Sequence, residues 1–440
     1  MLTGIRRSRP VRTLVRRLGV HRVTAAVGVV QAPFVLVSAL VLRRLPRDRS
    51  LVALGSTLDR FADNAAYLYL HLSERERTGH AGLRPVWVSG SGDVVRRLRA
   101  QGYRAVTRWS PSGIWAALRA SVFVYSGYRS DINRWLAPGA RTVCLWHGLP
   151  IKRVEGAVGG TGGTGTRWLR RLLQAAREPA PDHLLTPSEF VVERFSPAFG
   201  VPRERCWQLG YPRNDHLLRD PKAPPRALVA DPESWSRLEQ ASVVVGLFLT
   251  WRDDRVDDVV DAALLAELTD CCSRAGGLLA YKAHFNVTAT DAAPTGERVE
   301  LPADVDLHAY LGLCDVLVTD YSSVALDFLL LGRPVVYFMP DLEQYDARRG
   351  FHLDPLALPG VVTRDRASLV EELTRTLMNL DDHRRSARDA AFLVRLWGPD
   401  PAEASAAIAV ALDDLAGSRD RRVSSRPPAS PVPPARRAAG

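Results

Sequence analysis

The sequence predicts an α/β protein made of two doubly wound, Rossmann-like domains that face each other across a cleft. Three observations lead there. Short apolar segments alternate with helical patterns from residue 48 to residue 416, the arrangement of a parallel sheet covered by helices. The alternation breaks once, at the proline-rich stretch Asp220–Pro232, and then resumes. Several apolar segments empty into polar turns, and ligands of such folds sit outside the carboxyl ends of the strands.

In the first half Ser50–Gly55, Pro85–Val88, Ser121–Tyr125 and Thr142–Trp146 read as strands, with helices at Asp63–Leu72 and Val94–Gln101. In the second, Ser242–Thr250, Leu278–Tyr281, Val316–Thr319 and Val335–Phe338 read as strands. Helical patterns intervene at Val256–Ser273, Leu307–Leu313 and Ser323–Leu331, and three more follow at Ala367–Leu380, Asp382–Leu396 and Ala402–Leu415. The expected organisation is a leader at 1–47, a first domain at 48–219, a linker at 220–240, a second domain at 241–416 and a disordered Pro/Arg/Ser/Ala-rich tail at 417–440.

Charge is distributed unevenly. The net charge is +11, yet residues 1–47 carry ten arginines and no acid, and the tail from Ser418 carries +5. The intervening segment is left at −4, which argues against nucleic acid as the partner of the folded domains. Five cysteines without metal-ligand spacing point to reduced thiols, and no acidic pair suggests a metal site; Asp253-Asp254 reads as a solvated loop. Val23–Leu42 is an uncharged run flanked by arginines, just long enough to span a bilayer. Basic residues on both sides favour an interfacial or monotopic segment on an anionic membrane surface; a buried helix with a solvated basic leader is the alternative.

Four motifs and one further strand end carry the chemistry. In Cys144-Leu-Trp-His147-Gly-Leu-Pro-Ile-Lys152-Arg153 a histidine stands directly past a strand, before a Gly/Pro turn. Tyr281-Lys282-Ala283-His284 repeats the idea, and two of the chain's three lysines accompany these two histidines. Asp315-Val-Leu-Val-Thr-Asp320-Tyr-Ser322-Ser323, running into a helix, is either a phosphate cradle or an ordinary serine cap. Gly210-Tyr-Pro-Arg213-Asn-Asp215 and Gly246-Leu-Phe-Leu-Thr250-Trp251-Arg252-Asp253 place an arginine near a turn, or are plain surface turns. The glycine-rich Gly156–Thr166 lacks the Gly-Lys-Ser/Thr ending of a P-loop and reads equally as a lid or a linker.

In combination and order these motifs resemble the CDP-glycerol glycerophosphotransferases of teichoic acid synthesis. The most specific run is Asp315–Asp354, with WHGLPIKR, GYPRND and Asp63-Asn64…Tyr67 upstream. The resemblance implies a GT-B fold, a second domain that binds the CDP moiety, and peripheral attachment to the cytoplasmic face of the cell membrane. It also implies transfer of glycerol phosphate, or a related polyol phosphate, to a lipid-linked or polymeric polyol-phosphate acceptor with release of CMP. No cofactor is implied beyond the CDP-activated donor substrate. His147 and His284 become the catalytic candidates. Gly148, Leu149, Pro150, Ile151, Arg213, Thr250, Trp251, Lys282, Ala283, Ser322, Ser323 and Asp327 become the donor contacts. Leu149 stands where threonine is frequent, and Phe285 where proline usually follows. A GT-B glycosyltransferase, a ribitol-phosphate transferase and a non-catalytic nucleotide-binding membrane scaffold are the rivals.

Overall fold

The computed structural model describes residues 40–80, 82–154, 179–250, 260–282, 297–302, 304–380 and 389–417. The run Val23–Leu42 up to residue 39, the glycine-rich stretch, Trp251, Asp253-Asp254, Ala283, His284 and the tail from residue 418 lie outside them. Among the described residues no helix is long and apolar enough to cross a membrane.

The first sheet has seven strands: β1 (Asp48–Gly55), β2 (Arg84–Ser89), β3 (Ala105–Thr107), β4 (Ala120–Tyr125), β5 (Arg141–Cys144), β6 (His183–Leu185) and β7 (Cys206–Trp207). Their order is β3-β2-β1-β4-β5-β6-β7, with every pairing parallel. Helices α1 (Asp63–Arg77), α2 (Gly92–Ala100), α3 (Pro111–Arg119) and α4 (Glu189–Phe199) make the crossovers, and α5 (Pro212–Arg219) and α6 (Pro232–Glu239) lead out of the domain. Local sequence sets the helix ends. Ser91 and Ser110 accept the amides of Val94 and Gly113, proline begins α3, α5 and α6, and Gly200 closes α4 at φ 63°.

The second sheet has six strands: β8 (Val244–Phe248), β9 (Leu278–Lys282), β10 (Arg298–Leu301), β11 (Val316–Thr319), β12 (Val335–Phe338) and β13 (Val361–Thr363). The order β10-β9-β8-β11-β12-β13 is again wholly parallel. Helices α7 (Ala262–Arg274), α8 (Leu307–Leu311), α9 (Val324–Phe328), α10 (Leu342–Arg349) and α11 (Arg366–Met378) belong to it. Its central strands β8, β11 and β12 are buried on both faces. On β8, Val245 and Leu247 pack outward against Leu268, Leu369 and Leu373, while Val244 and Phe248 join the core shared with the first domain. Strands covered twice have no polar side to alternate with, so they read as continuous apolar runs.

The expected boundary at 416 needs one correction. The last two helices, α12 (Ala390–Trp397) and α13 (Ala404–Gly417), cross back and pack on the first domain, α12 against α4 and α13 against α1 and α5. Asp215 of α5 accepts the amides of Ala404 and Ser405, each at 2.8 Å, and so caps α13. The Trp397 indole donates to the Leu326 carbonyl at 3.2 Å, which ties the returning chain to α9.

Candidate active site

Past β5 the chain makes an unusual turn. Trp146 sits at φ +56°, a left-handed conformation that costs a bulky residue about 1–3 kcal/mol. Aromatic packing repays part of it: the indole meets Phe199 at 4.6 Å and Phe195 at 6.3 Å, both on α4. The turn delivers His147 to the carboxyl edge of the sheet, its ring 4.1 Å from the Trp146 ring and exposed on the cleft side. Surrounding protein lowers the His147 pKa by desolvation; Arg213 and Lys152 add to that, while Asp63 and a hydrogen bond to the Ser126 backbone act against it. The imidazole is therefore neutral at pH 7, able to accept a proton.

The segment after His147 crosses to the second domain. A Cβ built on Gly148 would stand 2.3 Å from the Ser323 hydroxyl, so the two motifs touch only because residue 148 has no side chain. Leu149, Pro150 and Ile151, expected at the donor, are buried. The Ile151 carbonyl accepts the His352 amide at 2.8 Å, Lys152 forms a β-bridge with Phe351, and the Arg153 amide donates to Gly350 at 3.1 Å. These backbone contacts of residues 151–153 join the domains.

Arg213 and Asp327, both donor candidates, meet each other across the domains. Both side chains are 0% exposed, and the guanidinium grips the carboxylate twice, Nε–Oδ1 at 3.0 Å and Nη2–Oδ2 at 2.8 Å. Nη1 is held by Asp63 Oδ1 at 2.7 Å and by the His147 carbonyl at 2.9 Å. A planar fork engaged on all three nitrogens ties the two domains together. Burial alone would raise the Asp327 pKa; Arg213 and His308 override it and hold the carboxylate ionised.

His308 was missed in the sequence. It lies at the start of α8 with Nδ1 3.5 Å from Asp306 Oδ1 and Nε2 3.6 Å from Asp327 Oδ2. Burial and Arg213 push its pKa down, but the two carboxylates prevail and raise it, so the buried run Asp63–Arg213–Asp327–His308–Asp306 alternates in sign. The available signal was Asp306-Leu-His308 at a helix start, a pattern too common to single out.

The remaining candidates line the second domain's strand ends. Thr250 donates its amide to Asp320 Oδ1 at 2.8 Å, pinning the end of β8 to that of β11. Lys282 donates to the Val305 carbonyl at 3.2 Å; burial first, then the nearby Arg60 charge, lowers its pKa to about 8. Ser322 and Ser323 are half-buried at the head of α9, which is only five residues long. So short a helix contributes little dipole, and hydroxyls and amides are what it can offer an anion.

Residues 37–397 match the family of CDP-glycerol:poly(glycerophosphate) glycerophosphotransferases. The chain belongs to that family. It is 26% identical over 408 residues to a teichoic acid poly(glycerol phosphate) polymerase of Staphylococcus epidermidis, covering 84% of this chain and 53% of that protein. Against a teichoic acid glycerol-phosphate transferase of Staphylococcus aureus the identity is 26%, covering 76% of this chain and 85% of the relative. The chain thus spans about half the length of the first relative and most of the second. A solved wall teichoic acid polymerase superposes with a TM-score of 0.66 at 22% identity, covering 86% of this chain and 91% of that one. The two parallel sheets with their returning helices are a GT-B-type fold.

Proposed function

We propose that the protein transfers glycerol phosphate, or a related polyol phosphate, from a CDP-activated donor to a teichoic-acid-like acceptor at the cytoplasmic face of the membrane. Family membership supports the reaction class, and one contact carries the assignment of the site. Gly148, next to His147 in the first domain, lies against Ser323 of the second, so the turn that carries the proton acceptor meets the anion-binding turn.

In this reading the neutral His147 takes the proton of the acceptor hydroxyl. The oxygen forms a bond to the donor phosphorus that bears the polyol, and the bond from that phosphorus to CMP breaks with its electrons on the departing phosphate. Ser322, Ser323 and the Lys282 ammonium, with His284 two residues further along the sequence, steady that charge. Arg213 and Asp327 act on geometry, holding the two domains in register. The acceptor is a lipid-linked or polymeric polyol phosphate. Arg47 is held by carbonyls of the first domain, and the nine arginines of residues 1–44 supply attraction to anionic lipid of about 1 kcal/mol each near the surface.

The test is release of CMP from CDP-glycerol with acceptor present, run beside CDP-ribitol and a sugar nucleotide. His147→Ala is expected to lower turnover by about a hundred-fold while CDP affinity stays within a few-fold, the scale of a lost general base. Turnover from the sugar nucleotide alone would replace the phosphotransfer reading with glycosyl transfer. Wild-type turnover in His147→Ala would remove His147 from the chemistry.

A further inference from the structure

Three consecutive carbonyls of the His147 turn are each held by a side chain from another element. Asn64 Nδ2 on α1 donates to the Trp146 carbonyl at 2.9 Å. Arg213 Nη1 on α5 donates to the His147 carbonyl at 2.9 Å, and the Tyr211 hydroxyl, one residue before α5, donates to the Gly148 carbonyl at 3.3 Å. The first two carbonyls belong to the peptide planes that meet at the His147 α-carbon, so fixing both fixes the direction of its side chain. The three prongs are also braced. Asp63 Oδ1 accepts from the Asn64 amide and from Arg213 Nη1, each at 2.7 Å, and Asn64 Oδ1 faces the Arg213 amide at 3.4 Å.

The grip falls where the backbone most needs it. Trp146 is held at φ +56° and Asp63 at φ +65°, and strained conformations persist only where the surroundings over-determine them. Asn64, Tyr211 and Arg213 are each 0% exposed, so no water competes for these hydrogen bonds.

We infer that Asn64 and Tyr211, with Arg213, are positioning residues that set the aim of the His147 imidazole. The inference rests on His147 acting as the base, and it gives the GYPR segment and the Asp63-Asn64 pair one shared purpose. Neither Asn64 nor Tyr211 touches substrate in this account; each works through the turn.

A double-mutant cycle with His147 tests it, using the full chain and CMP release from CDP-glycerol. Asn64→Ala is expected to lower kcat by about 10- to 100-fold, the scale of an ångström-level misplacement. Tyr211→Phe keeps the ring that packs on Trp397 at 5.5 Å and removes only the hydroxyl. It should lower kcat by roughly 3- to 10-fold, with donor KM within about 3-fold in both variants. In the His147→Ala background neither change should alter the residual rate by more than about 2-fold, since the group they aim is gone. If the losses are equal with and without His147, the two residues serve the fold generally and the inference is overturned. Wild-type kcat in Tyr211→Phe and Asn64→Ala beside an inactive His147→Ala overturns the clamp and leaves the base standing. An active His147→Ala removes the base, and the clamp with it. Should Asn64→Ala fail to fold, Tyr211→Phe decides alone.

Discussion

Replacing Arg213 with methionine removes the central cation of a buried interdomain network while keeping an unbranched apolar stem. Asp327, 0% exposed, then loses its two-pronged partner, and Asp63 loses its contact at 2.7 Å. Breaking a buried pair from one side costs about 3–5 kcal/mol, because the carboxylate left behind is desolvated and unpaired. His308, 3.6 Å from Asp327, stays as a weaker cationic neighbour and argues for the lower end of that range. At about 2–4 °C per kcal/mol for a domain of this size, the main thermal transition should fall by roughly 6–12 °C. The assay is scanning calorimetry at pH 7.5, with circular dichroism as a second probe. The double variant Arg213→Met/Asp327→Leu should recover at least half of the loss, since it no longer buries a lone carboxylate. A melting temperature within 2 °C of wild type in Arg213→Met, or no recovery in the double variant, would refute the strut.

Lys282, with its pKa near 8, should impose a falling limb above pH 8 on kcat/KM for the donor, which reports the free enzyme. Lys282→Arg should move that limb upward by more than a pH unit; an unmoved limb would assign it elsewhere. His308 has a folded pKa raised above its unfolded value, so its stabilisation is full below about pH 6.5 and is lost as pH climbs through the folded pKa. The melting-temperature gap between wild type and His308→Gln should therefore shrink from pH 6 to pH 8.5, and a widening gap would contradict the sign. Ser323 has φ −65°, compatible with proline, so Ser323→Pro deletes one amide donor at little cost to the fold. CDP affinity measured by calorimetry should weaken about 10- to 100-fold, and CMP affinity less; equal CDP affinity in a folded variant would move the diphosphate elsewhere.

Much of this was legible in the sequence. The strands Val316–Thr319 and Val335–Phe338 were readable to the residue, because a strand covered on both faces is a short apolar block with polar ends. The short strands β3, β6, β7 and β13, two or three residues each, were not, since so few residues carry no periodicity. The motif His147-Gly148 was visible as chemistry because glycine and proline mark a turn wherever they stand.

The sequence by itself determined the fold class, the family and the strand ends at which the polar residues gather. Those follow from local pattern, which each segment carries alone. Only the tertiary structure decided what Arg213 and Asp327 hold, and where Leu149, Pro150 and Ile151 are buried. An arginine in a turn reads the same whether its fork meets a phosphate or a buried carboxylate 114 residues away. The same holds for Asn64, whose partner carbonyl lies 82 residues further on, and for α13, whose cap is an aspartate of the other domain. Partners so distant in the chain leave no spacing to read, because the contact exists only once two sheets and the returning helices have closed around it.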